Sequence, residues 1–241
     1  ISIDSPDIET SWKIKKPRKR KGTISKKIDP EYIDLLQMFT SLLNIKGTPF
    51  GQLNKPSFGM SDGNEGVQWN IVVLTNTKEV RLGVNLEGKK YSNWPVASLI
   101  LSELREPTLQ MLNRQVRRPS DIYIQFLRDA WQVTSRPAIK EQTIGRKIVP
   151  ICDLSKDLWN LILMESIECL NADKSHRGRN KQQITLANKP KNGEQKRTME
   201  VSPHLIIWTP IDMSGNIELQ LKRGLTDLRP IYEWMMKTSQ P

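Results

Sequence analysis

The stretch that decides the fold is VQWNIVVLTNTKEVRLGVNLE, residues 67–87. Its first part, residues 67–75, is rich in β-branched side chains, and its second part, residues 79–87, alternates apolar side chains with polar residues or glycine. Strict alternation places the apolar side chains on one face of a strand. Residues 76–78, Asn-Thr-Lys, can turn the chain between the two parts. The sequence therefore predicts a β-hairpin with one buried face.

Segments on both sides of the hairpin complete the expected core. Asp29 is a good helix N-cap and Pro30 suits the first helical position, so we expect a helix over residues 30–44. A second helix is expected over residues 96–114, and residues 121–127 have the composition of a strand. The order helix, hairpin, helix, strand predicts an α/β fold with a mixed central sheet flanked by helices.

Two segments that border this core are rich in residues that interrupt regular structure. Residues 1–28 combine proline and glycine with many charges, which predicts a flexible basic arm. Residues 47–66 contain mainly Gly, Pro, Ser and Asn, which favours a loop with a short strand near residues 50–53.

The second half of the chain shows weaker periodicity. Residues 154–170 and 226–237 have the spacing of helices. Residues 204–208 and 217–221 are expected to pair as strands around a turn, and residues 182–186 to form a strand within a basic segment.

Positive charge is concentrated in two tracts. The chain has 241 residues and a net charge of +11; residues 13–27 hold nine Lys or Arg and no acid, and residues 174–197 hold eight against one acid. Such a tract attracts a polyanion by releasing counterions, and nucleic acid is the commonest polyanionic partner. The alternative interpretation is a solvated tail or a localisation signal.

Basic and amide side chains in and near these tracts are candidate DNA contacts. Arg and Lys bind phosphates and guanine edges, and Asn or Gln pairs with adenine. An arginine-rich helix C-terminus is the alternative for the group that follows the second helix, and a surface loop for the group in the second tract. The candidates are Lys19, Arg20, Asn113, Arg114, Arg117, Arg118, His176, Arg177, Arg179 and Lys181.

Composition disfavours several other classes of protein. No apolar run approaches the roughly 18–20 residues that cross a bilayer, so we expect no membrane partner and a cytoplasmic or nucleoid location. The chain has only two cysteines and two histidines. Their spacing fits no common zinc site, and so few histidines disfavour a catalytic triad.

An acidic residue precedes the hairpin, and a Glu-x-Lys sequence ends it. Asp62 precedes its first strand, whereas Glu87 and Lys89 lie where the second strand ends. Because the start of one hairpin strand lies beside the end of the other, we expect Asp62 and Glu87 to converge, with Lys89 next to them. Two carboxylates can bind Mg²⁺, which would polarise a phosphodiester and activate water. Alternatively, Asp62 is a turn residue and the other two residues form a solvated strand end.

At these residues the chain resembles the PD-(D/E)xK nuclease superfamily, over about residues 30–128. The resemblance implies a restriction-endonuclease-like core with a basic N-terminal arm. It also implies that Asp62 and Glu87 bind Mg²⁺, that Lys89 is the catalytic lysine and that Glu31 is an accessory acid. Another acid of the same loop, Glu65, competes with Asp62 for the first position.

The function that the resemblance implies is Mg²⁺-dependent hydrolysis of double-stranded DNA by a homodimer of restriction-enzyme type. On this view residues 1–28 are the arm, residues 29–128 the nuclease core, and residues 129–241 the rest of that domain or a DNA-contacting subdomain. The main alternative is a non-catalytic protein that grips the phosphate backbone of nucleic acid through its two basic tracts. A third possibility is a subunit whose arm docks onto an acidic protein.

Overall fold

The computed structural model describes nine stretches of the chain, and everything below concerns them. They are residues 29–51, 57–64, 66–87, 117–129, 148–170, 172–174, 180–186, 195–201 and 203–238. The arm expected at residues 1–28 and the helix expected over residues 96–114 lie outside the described residues.

The described residues form three α-helices and ten β-strands. The helices are α1 (Pro30–Leu43), α2 (Lys156–Leu170) and α3 (Ile217–Thr238). The strands are β1 (Thr48–Gly51), β2 (Ser57–Ser61), β3 (Val67–Leu74), β4 (Glu79–Glu87), β5 (Tyr123–Leu127), β6 (Val149–Pro150), β7 (Asp173–Lys174), β8 (Asn180–Leu186), β9 (Gln195–Val201) and β10 (His204–Ile211). This combination confirms the α/β class.

Seven of the strands form one sheet in the order β1-β2-β3-β4-β10-β5-β6. All six of its strand pairings are antiparallel. The expectation of a mixed sheet is corrected here. β1 to β4 follow one another as reversals of the chain, and β10 runs antiparallel to both of its neighbours, so no described pairing needs the long crossover of parallel strands.

The predicted hairpin is confirmed as β3 and β4. Val67 pairs with Leu86 at its open end, and Leu74 pairs with Glu79 beside the turn. Lys78 closes the turn with a φ of 55°, in the left-handed region. The alternating apolar side chains of β4 are buried, as the sequence pattern required.

Helices α1 and α3 cover the apolar face of the hairpin. Asp29 caps α1 by accepting a hydrogen bond from the backbone N–H of Glu31 at 3.3 Å. Gly224 lets α3 approach closely, because a Cβ atom at this position would lie 2.7 Å from Leu82 Cδ2 and 3.1 Å from Thr209 Cγ2. The helices contribute Leu35, Leu36, Phe39, Leu221, Leu225 and Leu228 to the core.

The expected strand at residues 217–221 is wrong, because these residues begin the 22-residue helix α3. Asn216 starts the helix by accepting the backbone N–H of Leu219 on its side-chain oxygen at 2.9 Å. Leu221, Leu225 and Leu228 then recur at helical steps and are buried. Alternation over a few residues fits a strand, and only the longer run identifies the helix.

The strands β7, β8 and β9 form a separate three-stranded antiparallel sheet. The strand expected at residues 182–186 is confirmed as part of β8. The described residues contain no helix that is long and apolar enough to span a membrane.

Candidate functional site

Asp62 prolongs the pairing of β2 with β3 and then turns the chain. Its backbone N–H donates to the carbonyl of Trp69 at 3.0 Å, and its Oδ2 accepts the N–H of Trp69 at 3.1 Å. Asn64 donates to the same carboxylate twice, from its backbone at 3.0 Å and from its side chain at 2.9 Å. Burial raises the pKa of Asp62, while the hydrogen bonds from Asn64 and Trp69 act in the opposite direction. Both carboxylate oxygens therefore hold a tight turn together.

The turn is joined to the C-terminal helix. The side-chain nitrogen of Asn64 also donates to the hydroxyl oxygen of Tyr232 at 3.0 Å. The Tyr232 ring stacks on Trp69, with ring centres 4.9 Å apart. The pKa of Tyr232 is raised by burial first and then by the nearby Asp62 carboxylate. Asp62 thus belongs to a structural cluster between the sheet and α3.

Glu87 ends β4, where its backbone pairs with that of His204. Asp62 sits instead opposite Trp69, which pairs with Val84, so β3 lies between Asp62 and the strand that carries Glu87. Two strand spacings and three residues along the ladder separate the two Cα atoms by about 14 Å. The structure does not bring these two positions together. The side chain of Glu87, Lys89 and Glu65 lie outside what is described.

The Mg²⁺ site expected at Asp62 and Glu87 stays a prediction, because the side chain of Glu87 lies outside what is described. No three or more of the described His, Cys, Asp and Glu side chains are grouped so as to hold a metal ion. The oxygens of Asp62 accept hydrogen bonds from N–H groups, which compete with a cation for the same lone pairs. Glu31 is exposed in the first turn of α1.

Arg118, one of the candidate DNA contacts, is engaged within the protein. Its Nη2 and Nε atoms lie 2.7 and 3.0 Å from Oδ2 of Asp227, a buried carboxylate of α3. Its Nη1 lies 3.5 Å from Asp121. The neighbouring Arg117 is exposed. Asn113 and Arg114 lie outside the described residues.

The second basic tract forms much of the β8–β9 ribbon, which we define as residues 180–186 paired with residues 195–201. Lys181 is exposed on β8, and Lys196 and Arg197 are exposed on β9. The other candidates of the two tracts, Lys19, Arg20, His176, Arg177 and Arg179, lie outside the described residues.

The ribbon is fixed to α2 at one end. Asn180, which is fully buried, donates its side-chain N–H to the backbone carbonyl of Cys169 at 2.7 Å. Ile184, Leu186 and Val201 form a small buried cluster on the same face. On the opposite face Thr185 is buried and Glu200 is half-buried, whereas the side chains of four other residues are exposed: Lys181, Gln183, Lys196 and Thr198.

The sequence did not predict β9 as a strand. Its residues QKRTMEV are mostly charged or polar and lack an apolar alternation. The signal that could have found it is the pairing requirement of β8, because a predicted strand needs a neighbour for its backbone groups. Lys196, Gln183 and Thr198 were missed as surface residues of a ribbon for this reason.

An ionic cluster at the end of β5, in which Arg128 and Glu165 are buried and Glu168 is exposed, was also missed. The guanidinium of Arg128 lies 2.8 Å from Glu168 and 3.6 Å from Glu165, both on α2. Burial raises the pKa of Glu165 to about 7, although Arg128 lowers it. Within the described part of the chain, neither carboxylate oxygen of Glu165 has a hydrogen-bond partner. Charged residues within a helix usually indicate an exposed face, so the sequence pattern did not predict that Glu165 is buried.

Comparisons with known proteins add nothing to this geometry. The chain matches no family model, no curated protein and no solved structure.

Proposed function

We propose that the protein binds nucleic acid through its two basic tracts, and that the second tract does so from the β8–β9 ribbon. The observation that carries this proposal is the exposure of three basic side chains on the ribbon. Lys181 and Lys196 lie on one face, and Arg197 lies on the other face, which Asn180 anchors to α2. A cytoplasmic or nucleoid location would follow from such a partner.

The charge distribution supports the same proposal. The summed net charge of the two tracts exceeds the net charge of the whole chain, which is +11. The rest of the chain is therefore net negative. An acidic body repels a polyanion while a basic ribbon attracts it, which orients the encounter. Each phosphate that a lysine or arginine neutralises releases counterions and makes the affinity depend on salt.

The test is a titration of a fluorescein-labelled 20-bp DNA duplex, followed by fluorescence anisotropy at several salt concentrations. The variant Lys181→Ala/Lys196→Ala/Arg197→Ala should bind more weakly at every salt concentration. Its slope of log affinity against log salt should be smaller by about 0.9 for each phosphate that the variant no longer neutralises, hence by about 3 if all three residues bind phosphates.

A matched variant removes equal charge elsewhere. Lys46, Lys156 and Arg223 are exposed elsewhere in the protein, so the triple alanine variant of these residues controls for the change in net charge. Equal affinity and equal salt slope for the ribbon variant and the wild type would contradict the proposal, as would absence of binding at low salt.

Metal-dependent cleavage of double-stranded DNA by a homodimer stays a second candidate. The observation that favours it is the confirmed hairpin, whose second strand ends at Glu87, two residues before Lys89. Incubation of the protein with plasmid and Mg²⁺ or Mn²⁺ tests this candidate. Nicking that Glu87→Gln and Lys89→Ala abolish would support it, and no nicking in either metal would contradict it. Sedimentation velocity would give the number of chains in the active species.

A further inference from the structure

We infer that two copies of this chain associate through the outer edge of β9, so that their three-stranded sheets join into one six-stranded sheet. The association needs no nucleic acid and is therefore independent of the proposed function. Its register follows from the symmetry of the pair and from the charges along the strand.

Strand β9 forms an edge of the three-stranded sheet. The strand order is β7-β8-β9, so within the described residues β9 has a neighbour on one side only. The backbone N–H and C=O groups on the other side of an edge strand can pair with a strand of another chain. The first four of its seven residues, 195–198, have exposed side chains, so this half of β9 is open to such a partner.

Symmetry limits how β9 can pair with its own copy. Two identical strands that lie antiparallel in one sheet are related by a two-fold axis perpendicular to that sheet. The axis keeps every side chain on its own face, so one residue must lie opposite the same residue of the other copy. With Thr198, the middle residue of Gln195–Val201, at the axis, all seven residues of both strands pair.

The charges along β9 favour the same register. With Thr198 at the axis, Lys196 of each copy lies opposite Glu200 of the other, which gives two pairs of opposite charge. No other axis within β9 pairs opposite charges, and axes at Lys196, Arg197 or Glu200 place like charges opposite each other. Opposite charges and facing threonines each stabilise a pair of strands, whereas like charges destabilise it.

One face of the joined sheet then carries charges of alternating sign. Asp173 pairs with Lys181, and Lys181 pairs with Glu200. Lys196 of the other copy continues this row beyond Glu200. A carboxylate has two oxygens, so Glu200 can accept hydrogen bonds from both lysines. A strand of another sequence would meet unmatched charges, and charged edge strands discourage wrong partners in this way.

The other face of the sheet gains cover for a small core. Three buried residues of the ribbon form this core, and Met199 packs against it while remaining half-buried. In the inferred register Met199 lies opposite Arg197 of the other copy. The aliphatic stem of an arginine can cover apolar surface while its guanidinium stays in water.

Sedimentation velocity without nucleic acid tests the association. The wild type should have the mass of one chain at low concentration and of two chains at high concentration. Lys196→Glu places carboxylates opposite each other at both ends of the interface, so the dissociation constant should rise about tenfold or more. Lys46→Glu, which reverses an exposed charge elsewhere, should associate like the wild type.

A mixture of two variants tests the register. Glu200→Lys should also weaken the association, because lysines then lie opposite each other. Between a Lys196→Glu chain and a Glu200→Lys chain, however, both pairs regain opposite charges. The equimolar mixture should therefore form a one-to-one heterodimer more tightly than either variant forms a homodimer. Circular dichroism and thermal melting establish that Glu200→Lys is folded, since Glu200 also lies opposite Lys181.

Cross-linking at the axis tests the interface without a change of charge. Cys152 is exposed, so Cys152→Ser provides the background. In this background Thr198→Cys places two thiols on Cβ atoms about 5 Å apart, within reach of a disulfide. Oxidation with copper phenanthroline should yield linked dimers. Gln183→Cys should not, because three strand spacings, about 14 Å, separate this position from its copy.

Three outcomes would overturn the inference: the mass of one chain at every concentration, an unchanged dissociation constant for Lys196→Glu, and equal cross-linking of the Thr198→Cys and Gln183→Cys proteins. Each of these outcomes leaves the proposed nucleic-acid binding intact. Absence of DNA binding by a chain that still associates would overturn the proposed function alone.

Discussion

Asn180 donates its side-chain N–H to the backbone carbonyl of Cys169 at 2.7 Å, and this hydrogen bond joins the β8–β9 ribbon to α2. Asn180 is fully buried, and its side-chain oxygen has no partner within the described residues. This bond and a longer one, from Gln182 Nε2 to the carbonyl of Glu168 at 3.5 Å, hold β8 against α2.

Replacement of Asn180 by alanine should destabilise the fold. The carbonyl of Cys169 would lose a buried donor, which costs about 1–3 kcal/mol of the free energy of unfolding. Urea denaturation measures this difference. The exposed neighbour Gln183→Ala should change the free energy by less than about 0.5 kcal/mol. Equal stability of Asn180→Ala and the wild type would mean that the ribbon does not depend on this bond.

The two adjacent arginines before β5 should behave differently. Arg118→Ala leaves the buried carboxylate of Asp227 without its ionic partner and should reduce the free energy of unfolding by about 1–3 kcal/mol. Arg117→Ala removes an exposed charge and should leave stability within about 0.5 kcal/mol of the wild type. Chemical denaturation of both variants makes the comparison. A larger loss for Arg117→Ala would contradict the assignment of Arg118 as the structural residue.

Substitution of Asp62 separates its structural role from a catalytic one. Asp62→Ala removes the acceptor for the N–H groups of Asn64 and Trp69 and should destabilise the protein by about 1–3 kcal/mol. Asp34, exposed on α1, provides the matched control Asp34→Ala. If plasmid nicking is observed, its complete loss in an Asp62→Ala protein that melts like the wild type would instead indicate a catalytic carboxylate.

The free energy of unfolding should depend on pH through the titration of Glu165. Its pKa is raised from the ordinary value of 4.5 to about 7, so the folded protein retains a proton that the unfolded chain releases. The stabilisation is fully present below pH 4.5 and is lost as the pH rises through about 7. The loss amounts to about 3 kcal/mol of the free energy of unfolding.

Glu165→Gln removes this titration. Between about pH 5 and 8 the wild type should therefore lose free energy of unfolding relative to Glu165→Gln. Urea denaturation at each pH measures this difference. Glu233→Gln, at an exposed position of α3, should follow the wild-type curve. Parallel curves for wild type and Glu165→Gln would show that Glu165 is charged in the folded protein at neutral pH.

Local patterns predicted α1 and the β3–β4 hairpin, because capping residues and strand alternation act over neighbouring residues. They could not predict β2, whose residues SFGMS lie in a segment rich in Gly, Pro and Ser. Without β2, Asp62 stood in a loop that was free to approach Glu87. With β2 in place, pairing with Trp69 holds Asp62 on the far side of β3 from the strand that carries Glu87.

The position of β10 could not be predicted from local patterns either. The sequence indicates that residues 204–208 form a strand, but not which strands become its neighbours. In the structure β10 pairs with β4 on one side and β5 on the other, although both precede it by a long stretch of chain. Such pairings depend on the fit of whole surfaces.

Insertion of β10 between β4 and β5 has a consequence for how the chain is made. Until the ribosome has synthesised β10, β4 and β5 each lack one of their two neighbours and present an open backbone edge that can pair wrongly. The seven-stranded sheet is complete only after β10 has left the ribosome and paired with both strands. A cut after residue 128 would therefore yield two fragments that each need the other, and co-expression of the fragments should rescue a soluble complex that neither gives alone.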